Sequence, residues 1–185
     1  YEVLLRALRV DIELFREVNI PLETELAEID QKYNQTIGRM MVDFNGEART
    51  MPQMGRFLEE SDRAVREAAW RAINARRLQD RDAIDEIYDR MIALRHQMAL
   101  NAGFPNFRDF QHRRFRRFDY TPADCMTMHD SIETHLVPMQ RRLDRERAHE
   151  LAITPLRPWD LAVDVHGRKP LRPFPVELED GCRIG

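Results

Sequence analysis

The residues of this chain best suited to chemistry are histidines and carboxylates at helical spacing. His149-Glu150 is its one His-Glu pair. A zinc-binding H-E-x-x-H helix needs a second histidine four residues after the first, so that both imidazoles leave one face, but that position is Ile153. Glu150 is therefore expected to be a solvated helix residue. Glu146-Arg147-Ala148-His149 is a single Glu-x-x-His unit, and Asp109-Phe110-Gln111-His112 a single Asp-x-x-His unit. A di-iron bundle needs two Glu-x-x-His helices and two further inward glutamates, so half of that donor set is missing. His129 and Glu133 share a helix face at four-residue spacing and could ligate a metal, although a surface ion pair is the expectation. Asp82, Asp85, Glu86 and Asp89 line one face without interleaved histidine, which reads as a solvated stripe. No catalytic residue and no metal ligand is assigned in this chain, and its substrate-binding residues stay unassigned.

Other chemistries find less support. Neither a Gly-x-Gly-x-x-Gly nor a Walker-type loop occurs, and Ser61 and Ser131, the only serines, sit in helical contexts unlike a nucleophile elbow. Cys125 and Cys182 are far apart and in no C-x-x-C spacing, so neither a zinc ribbon nor a disulfide framework is expected. Between 104 and 120, Phe104, Phe107, Phe110, Phe115, Phe118 and Tyr120 alternate with Arg108, Arg113, Arg114, Arg116 and Arg117. Such interleaving can bind single strands by stacking and phosphate contacts. Phenylalanines at three-residue spacing also pack naturally into a helical core, and that is the expectation here, with no nucleic-acid partner.

The elements that must carry these residues are mostly helical. Val3, Leu4, Ala7, Leu8, Leu14, Phe15 and Val18 recur at three and four residues in a first helix. A second begins near Pro21, buries Leu22, Leu26, Ile29, Tyr33 and Ile37, and ends at Gly38. From 39 to 50 the period changes to two, with Met40, Val42 and Phe44 before Asn45-Gly46, the signature of a two-residue hairpin turn. Thr50 and Gln53 form a capping box for a short helix carrying Met54, Phe57 and Leu58. Ser61 is the expected cap of the next helix, whose Val65, Ala68, Ala69, Ala72 and Ile73 make a small-residue stripe, with Trp70 beside it. A further helix runs through Ile84, Ile87, Tyr88, Met91, Ile92, Arg95, Met98, Ala99 and Ala102 to a left-handed cap at Gly103. Thr121-Pro122-Ala123-Asp124 opens a long helix that Pro138 must kink or break. Beyond 154 a proline-rich connector has short strand character at 161–165.

Composition agrees with an ordered, mainly α protein: 43% hydrophobic and 33% charged residues with seven glycines among 185. That length suggests one domain with one core. With 29 cations against 32 anions, the net charge of −3 points to no polyanionic or polycationic partner. No apolar run approaches the roughly 18 residues of a membrane span, so no membrane is expected, and 1–18 is too charged for a signal peptide. The reducing cytoplasm is the expected compartment. The opening at Tyr1, without a cap, and the unfinished stretch after 170–175 suggest a piece of a longer chain.

The ordered motifs resemble oligoendopeptidase F, of the thimet-oligopeptidase family of zinc metallopeptidases. They are 33–51 with its Asn45-Gly46 turn, Asp62-Arg63-Ala64-Val65-Arg66-Glu67-Ala68-Ala69-Trp70, and Leu94-Arg95 through Ala102-Gly103-Phe104-Pro105-Asn106-Phe107. They continue with Phe118-Asp119-Tyr120-Thr121, Val137-Pro138 with Arg141-Arg142-Leu143, Leu156-Arg157-Pro158-Trp159-Asp160, and Pro170-Leu171-Arg172-Pro173-Phe174. The resemblance implies a helical bundle-like array with one β-hairpin, part of a larger helical peptidase fold. In it, 1–185 would be a single fragment of the helical peptidase domain, incomplete at both ends. It also implies a zinc endopeptidase parent that hydrolyses internal bonds of short peptides within a deep channel. The family's H-E-x-x-H helix, downstream glutamate and transition-state tyrosine and histidine have no counterparts here. This chain would therefore form channel wall, hold no zinc, be inactive alone, and have the remaining catalytic part of the parent as its partner. The alternative is a helical interaction or scaffold module without catalysis.

Overall fold

A computed structural model describes residues 1–168, which fall into two compact units, 1–40 with 76–141, and 41–75 with 142–168. Among the described residues an apolar cluster is found in each unit. The architecture is mainly α, with one two-stranded antiparallel sheet among the described residues.

In the first unit, α1 (Glu2–Leu14) is followed by a short 3-10 turn, Glu17–Asn19, and by α2 (Ile20–Gly38). The apolar pattern of the first helix runs past its end: Phe15 and Val18 lie outside α1 and are exposed. The cause is a buried amide that periodicity does not register. Asn19 Nδ2 donates to the Met98 carbonyl at 3.1 Å, and Asn101 Nδ2 donates to Asn19 Oδ1 at 2.7 Å, so the connector is tied down to α5 (Arg81–Asn101). Along α2 the stripe Leu22, Leu26, Ile29 and Ile37 is half-buried, and Tyr33, expected inside, is exposed. Arg90 of α5 holds Glu25 of α2 through two hydrogen bonds, at 2.6 and 2.8 Å.

The C-terminus of α5 ends in a Schellman cap. Gly103 has φ +85°, its N–H donates to the Leu100 carbonyl at 3.0 Å, and the Phe104 N–H donates to the Ala99 carbonyl at 2.9 Å. That reversal returns Phe104, Phe107 and Phe110 onto Ala99 and Ala102, with α6 (Phe107–Arg114) capped by Asn106. Leu94, absent from the expected stripe of α5, is buried, whereas Tyr88 and Ile92 are exposed.

A capping box of Thr121 and Asp124 starts α7 (Pro122–Ser131). The helix does not break at Pro138. It widens into a π segment, Ile132–Leu136, in which the Val137 N–H donates to the Ile132 carbonyl, and resumes as α8 (Val137–Glu150). Proline has no N–H for the carbonyl one turn back and its ring crowds that carbonyl, and a single widened turn accommodates both.

In the second unit, β1 (Met41–Phe44) and β2 (Glu47–Thr50) pair with Phe44 opposite Glu47, which leaves Asn45 and Gly46 as a two-residue turn with φ of +56° and +81°. The Thr50–Gln53 capping box opens α3 (Met51–Gly55) as its spacing predicts. Val42, Met54 and Phe57 pack on Ala69 and Ile73 of α4 (Arg63–Gln79). Asp62, and not Ser61, caps α4, its carboxylate accepting from the Ala64 N–H at 2.8 Å. The strand expected at 161–165 is absent: a 3-10 turn, Pro158–Asp160, is followed by bends and a turn. The Val163 carbonyl accepts from Arg147 Nη1 at 2.7 Å and the Asp164 carboxylate bonds locally to His166 and Arg168, and no neighbouring strand is offered to the segment. Residues 169–185, which include Cys182 and the Pro170–Phe174 motif, lie outside the described residues.

Candidate functional site

The isolated donor pairs of the sequence stay isolated. His149 and Glu150 are exposed at the end of α8, and Glu146 faces Arg142 at 3.7 Å. Asp109 accepts from Arg108 Nε at 2.8 Å and from Asn106 Nδ2 at 2.9 Å, and these bonds hold its carboxyl below the usual range. His112, one turn on, sets its ring edge-on to Tyr120 at 5.5 Å. His129 and Glu133 are exposed and do not form the ion pair expected of them. Widening of the helix from Ile132 shifts the side-chain register that a four-residue spacing presumes. Among the described residues no three His, Cys, Asp or Glu side chains stand together as a metal site.

The arginine-aromatic segment is divided: Phe115 and Tyr120 stay exposed, with Arg117 over both rings, while three other arginines pair with carboxylates. Arg113 reaches Glu13 at 2.6 Å, Arg116 reaches Asp11 at 2.8 Å and Arg114 reaches Glu23 at 3.6 Å, all carboxylates of α1 and α2. Phe110 is buried, with Phe104 and Phe107 on its ring at 5.7 and 6.0 Å.

Two motifs distant in sequence meet in the second unit. Asp160 is 0% exposed and Arg66 is 2% exposed. Arg66 Nη2 donates to Asp160 Oδ1 at 3.1 Å, its Nε to the Trp159 carbonyl at 3.0 Å, and its Nη1 to the carbonyls of Glu60 and Ser61 at 2.8 and 2.9 Å. Arg63 grips the same carboxylate through Nε at 3.0 Å and Nη2 at 2.9 Å. Burial alone would push the Asp160 carboxyl up. The bonds from Arg63, from the Arg157 N–H and from Arg66 outweigh it and hold the group below its ordinary value. Trp70 lies 5.4 Å from the Trp159 ring, with the Arg71 guanidinium over that ring at 5.3 Å. This is a structural lock with no open face for a substrate. Arg66 was legible in principle, because it stands three residues before Ala69 and seven before Ile73 on the buried stripe of α4.

One open feature of the first unit is a cleft of about 390 Å³ between α2 and α5. Its floor is Ile84, Ile87 and Met91, and Tyr33 and Tyr88 flank it. Asp30 and Asp85 supply carboxylates, and Arg95 closes one end. Helical spacing explains the grouping, since Ile84, Ile87, Tyr88, Met91 and Arg95 fall at three and four residues along α5. Tyr33, expected to be buried, and Tyr88 are both exposed and line the cleft.

The model of peptidase family M3 matches residues 56–176, well over half of the chain. The chain belongs to peptidase family M3. The M3 segment has the fold of solved structures under 25% identical to it. Pz peptidase A with an inhibitor matches at 23% identity and a TM-score of 0.85, over 88% of this chain and 29% of that one. A protein assigned as an oligoendopeptidase F from Bacillus anthracis matches at 22% and 0.84, over 88% of this chain and 30% of that one. The oligoendopeptidase-F of Enterococcus faecium matches at 22% and 0.63, over 78% of this chain and 28% of that one. The chain thus spans about three tenths of the length of these structures. No curated protein matches it. Family M3 implies zinc in the parent enzyme, and no helix among the described residues is long and apolar enough to cross a membrane.

Proposed function

We propose that this M3 chain is a wall segment of a cytoplasmic zinc oligopeptidase that hydrolyses internal bonds of short peptides, with the catalytic centre carried by other residues of the parent. The observation that carries this reading is the family match together with a fold that accounts for under a third of each similar structure. An enclosing helical wall would limit substrates to short, unfolded peptides and would have the catalytic part of the same protein as its partner. The segment itself would hold no zinc and belong to one helical peptidase domain.

The test is turnover of an internally quenched peptide by the 185-residue chain alone and by a longer polypeptide that adds the family's H-E-x-x-H helix. No turnover is expected for the first, and chelator-sensitive turnover for the second. Chelator-sensitive cleavage by the 185-residue chain alone would overturn the assignment, and an inactive longer polypeptide would favour a scaffold role.

A further inference from the structure

Two tyrosine rings and two carboxylates gather over an apolar floor in the α2–α5 cleft, and this combination has a chemical preference. Tyr33 is 38% exposed and Tyr88 59%, so both side chains are reachable from solvent. Asp30 accepts only from Asn34 Nδ2, at 3.3 Å, and Asp85 is felt only as a charge near Arg81. Neither carboxylate forms an ion pair among the described residues. Arg95, the cation of the cleft, turns its guanidinium over the Phe107 ring at 5.8 Å. Ile84, Ile87 and Met91 form a floor suited to an alkyl stem. A cation at the end of an aliphatic chain satisfies all three components at once: the stem covers the floor, the charge meets the carboxylates, and the ring faces attract it through their quadrupoles. A cleft of about 390 Å³ has room for such a side chain and part of its backbone.

We propose that the α2–α5 cleft binds a lysine or arginine side chain of a short peptide. The peptide context rests on the reading of the chain as part of an oligopeptidase; the preference for a cation comes from the cleft itself.

The experiment measures binding of three fluorescein-labelled pentapeptides, identical except for a central lysine, norleucine or glutamate, to the 185-residue chain by anisotropy at low and high salt. The lysine peptide should bind about fivefold or more tightly than the norleucine peptide, the size of one exposed cation–aromatic contact, with the glutamate peptide weakest. High salt should narrow the gap. In the double variant Asp30→Asn, Asp85→Asn the lysine preference should vanish while norleucine binding holds, and Tyr88→Ala should weaken the lysine peptide most. Equal binding of all three peptides, no binding of any, or a lysine preference that survives the double variant would overturn the proposal. Circular dichroism of each variant guards against misfolding, and Asp30→Ser, Asp85→Ser offers a second charge removal if the first misfolds. Lysine-selective binding without hydrolysis by the extended polypeptide would sink the peptidase reading and leave the cationic site standing.

Discussion

Asp160 is the residue on which the second unit depends most, because it neutralises a guanidinium that is itself out of water. Removing one partner of a buried pair leaves the other charged and desolvated, a loss of about 3 kcal/mol or more. Asp160→Ala should therefore lower the melting temperature by roughly 6–12 °C for a chain of this size, as read by thermal denaturation. Asp164→Ala is the milder contrast, since its ion pair with Arg168 is mostly exposed and contributes little, and the rest of the loss is the bonds its carboxylate accepts from the His166 and Arg168 N–H groups. The pH dependence has a definite sign. A folded carboxyl held below its unfolded value of about 3.9 adds stability that is complete above that value and is lost as pH falls through the folded one. Acid titration of urea midpoints should thus show stability falling below about pH 4, and Asp160→Asn should flatten that fall. A flat wild-type profile would contradict the assignment. Arg66 shows why such a lock escapes sequence reading. Charge argues for the surface, whereas its register on the alanine stripe of α4 argues for the interior, and only the arrival of Asp160 from 94 positions away resolves the conflict.

At the scale of elements, local chemistry decided most boundaries. The hairpin turn, both capping boxes and the Gly103 cap all adopt the geometry that their short motifs dictate, since each is satisfied by residues within a few positions. Gly46 gives a clean test. A Cβ placed there meets nothing within 4 Å, so any cost of substitution is the positive φ alone. Gly46→Val should lose about 1–2 kcal/mol by urea denaturation, and Gly46→Asn clearly less, because asparagine visits that region readily. Equal stability of the two variants would show that the turn relaxes. Two boundaries differ from expectation: Asp62 takes the cap expected of Ser61, through an N–H only two residues on, and the 161–165 segment, with no strand to pair with, forms none.

At the scale of the whole chain, the exposed apolar side chains carry the consequence. Val3, Leu4, Leu5, Leu8 and Ile12 of α1 are all exposed, as are Met126, Met128, Met139 and Leu143 along α7 and α8. Exposed apolar side chains in such number on one helix favour association in water. Sedimentation of the 185-residue chain should show concentration-dependent self-association, reduced by Leu4→Lys with Leu8→Lys. A strictly monomeric chain at high concentration would argue against the wall-segment reading.

Sequence alone determined the mainly helical class, the hairpin with its two-residue turn, the caps and, through the order of motifs, the family. These rest on contacts between near neighbours, which a linear pattern records. Only the tertiary structure decided that there are two apolar clusters, that Asn19 and Arg66 are buried, that Pro138 is absorbed by a π segment, and that Tyr33 and Tyr88 face a cleft. The physical reason is that burial depends on which helix faces meet. An apolar or small-residue stripe marks a face ready to pack, but its partner, and the polar group admitted beside it, is chosen by residues far off in the chain, as Asp160 is from Arg66 at 94 positions.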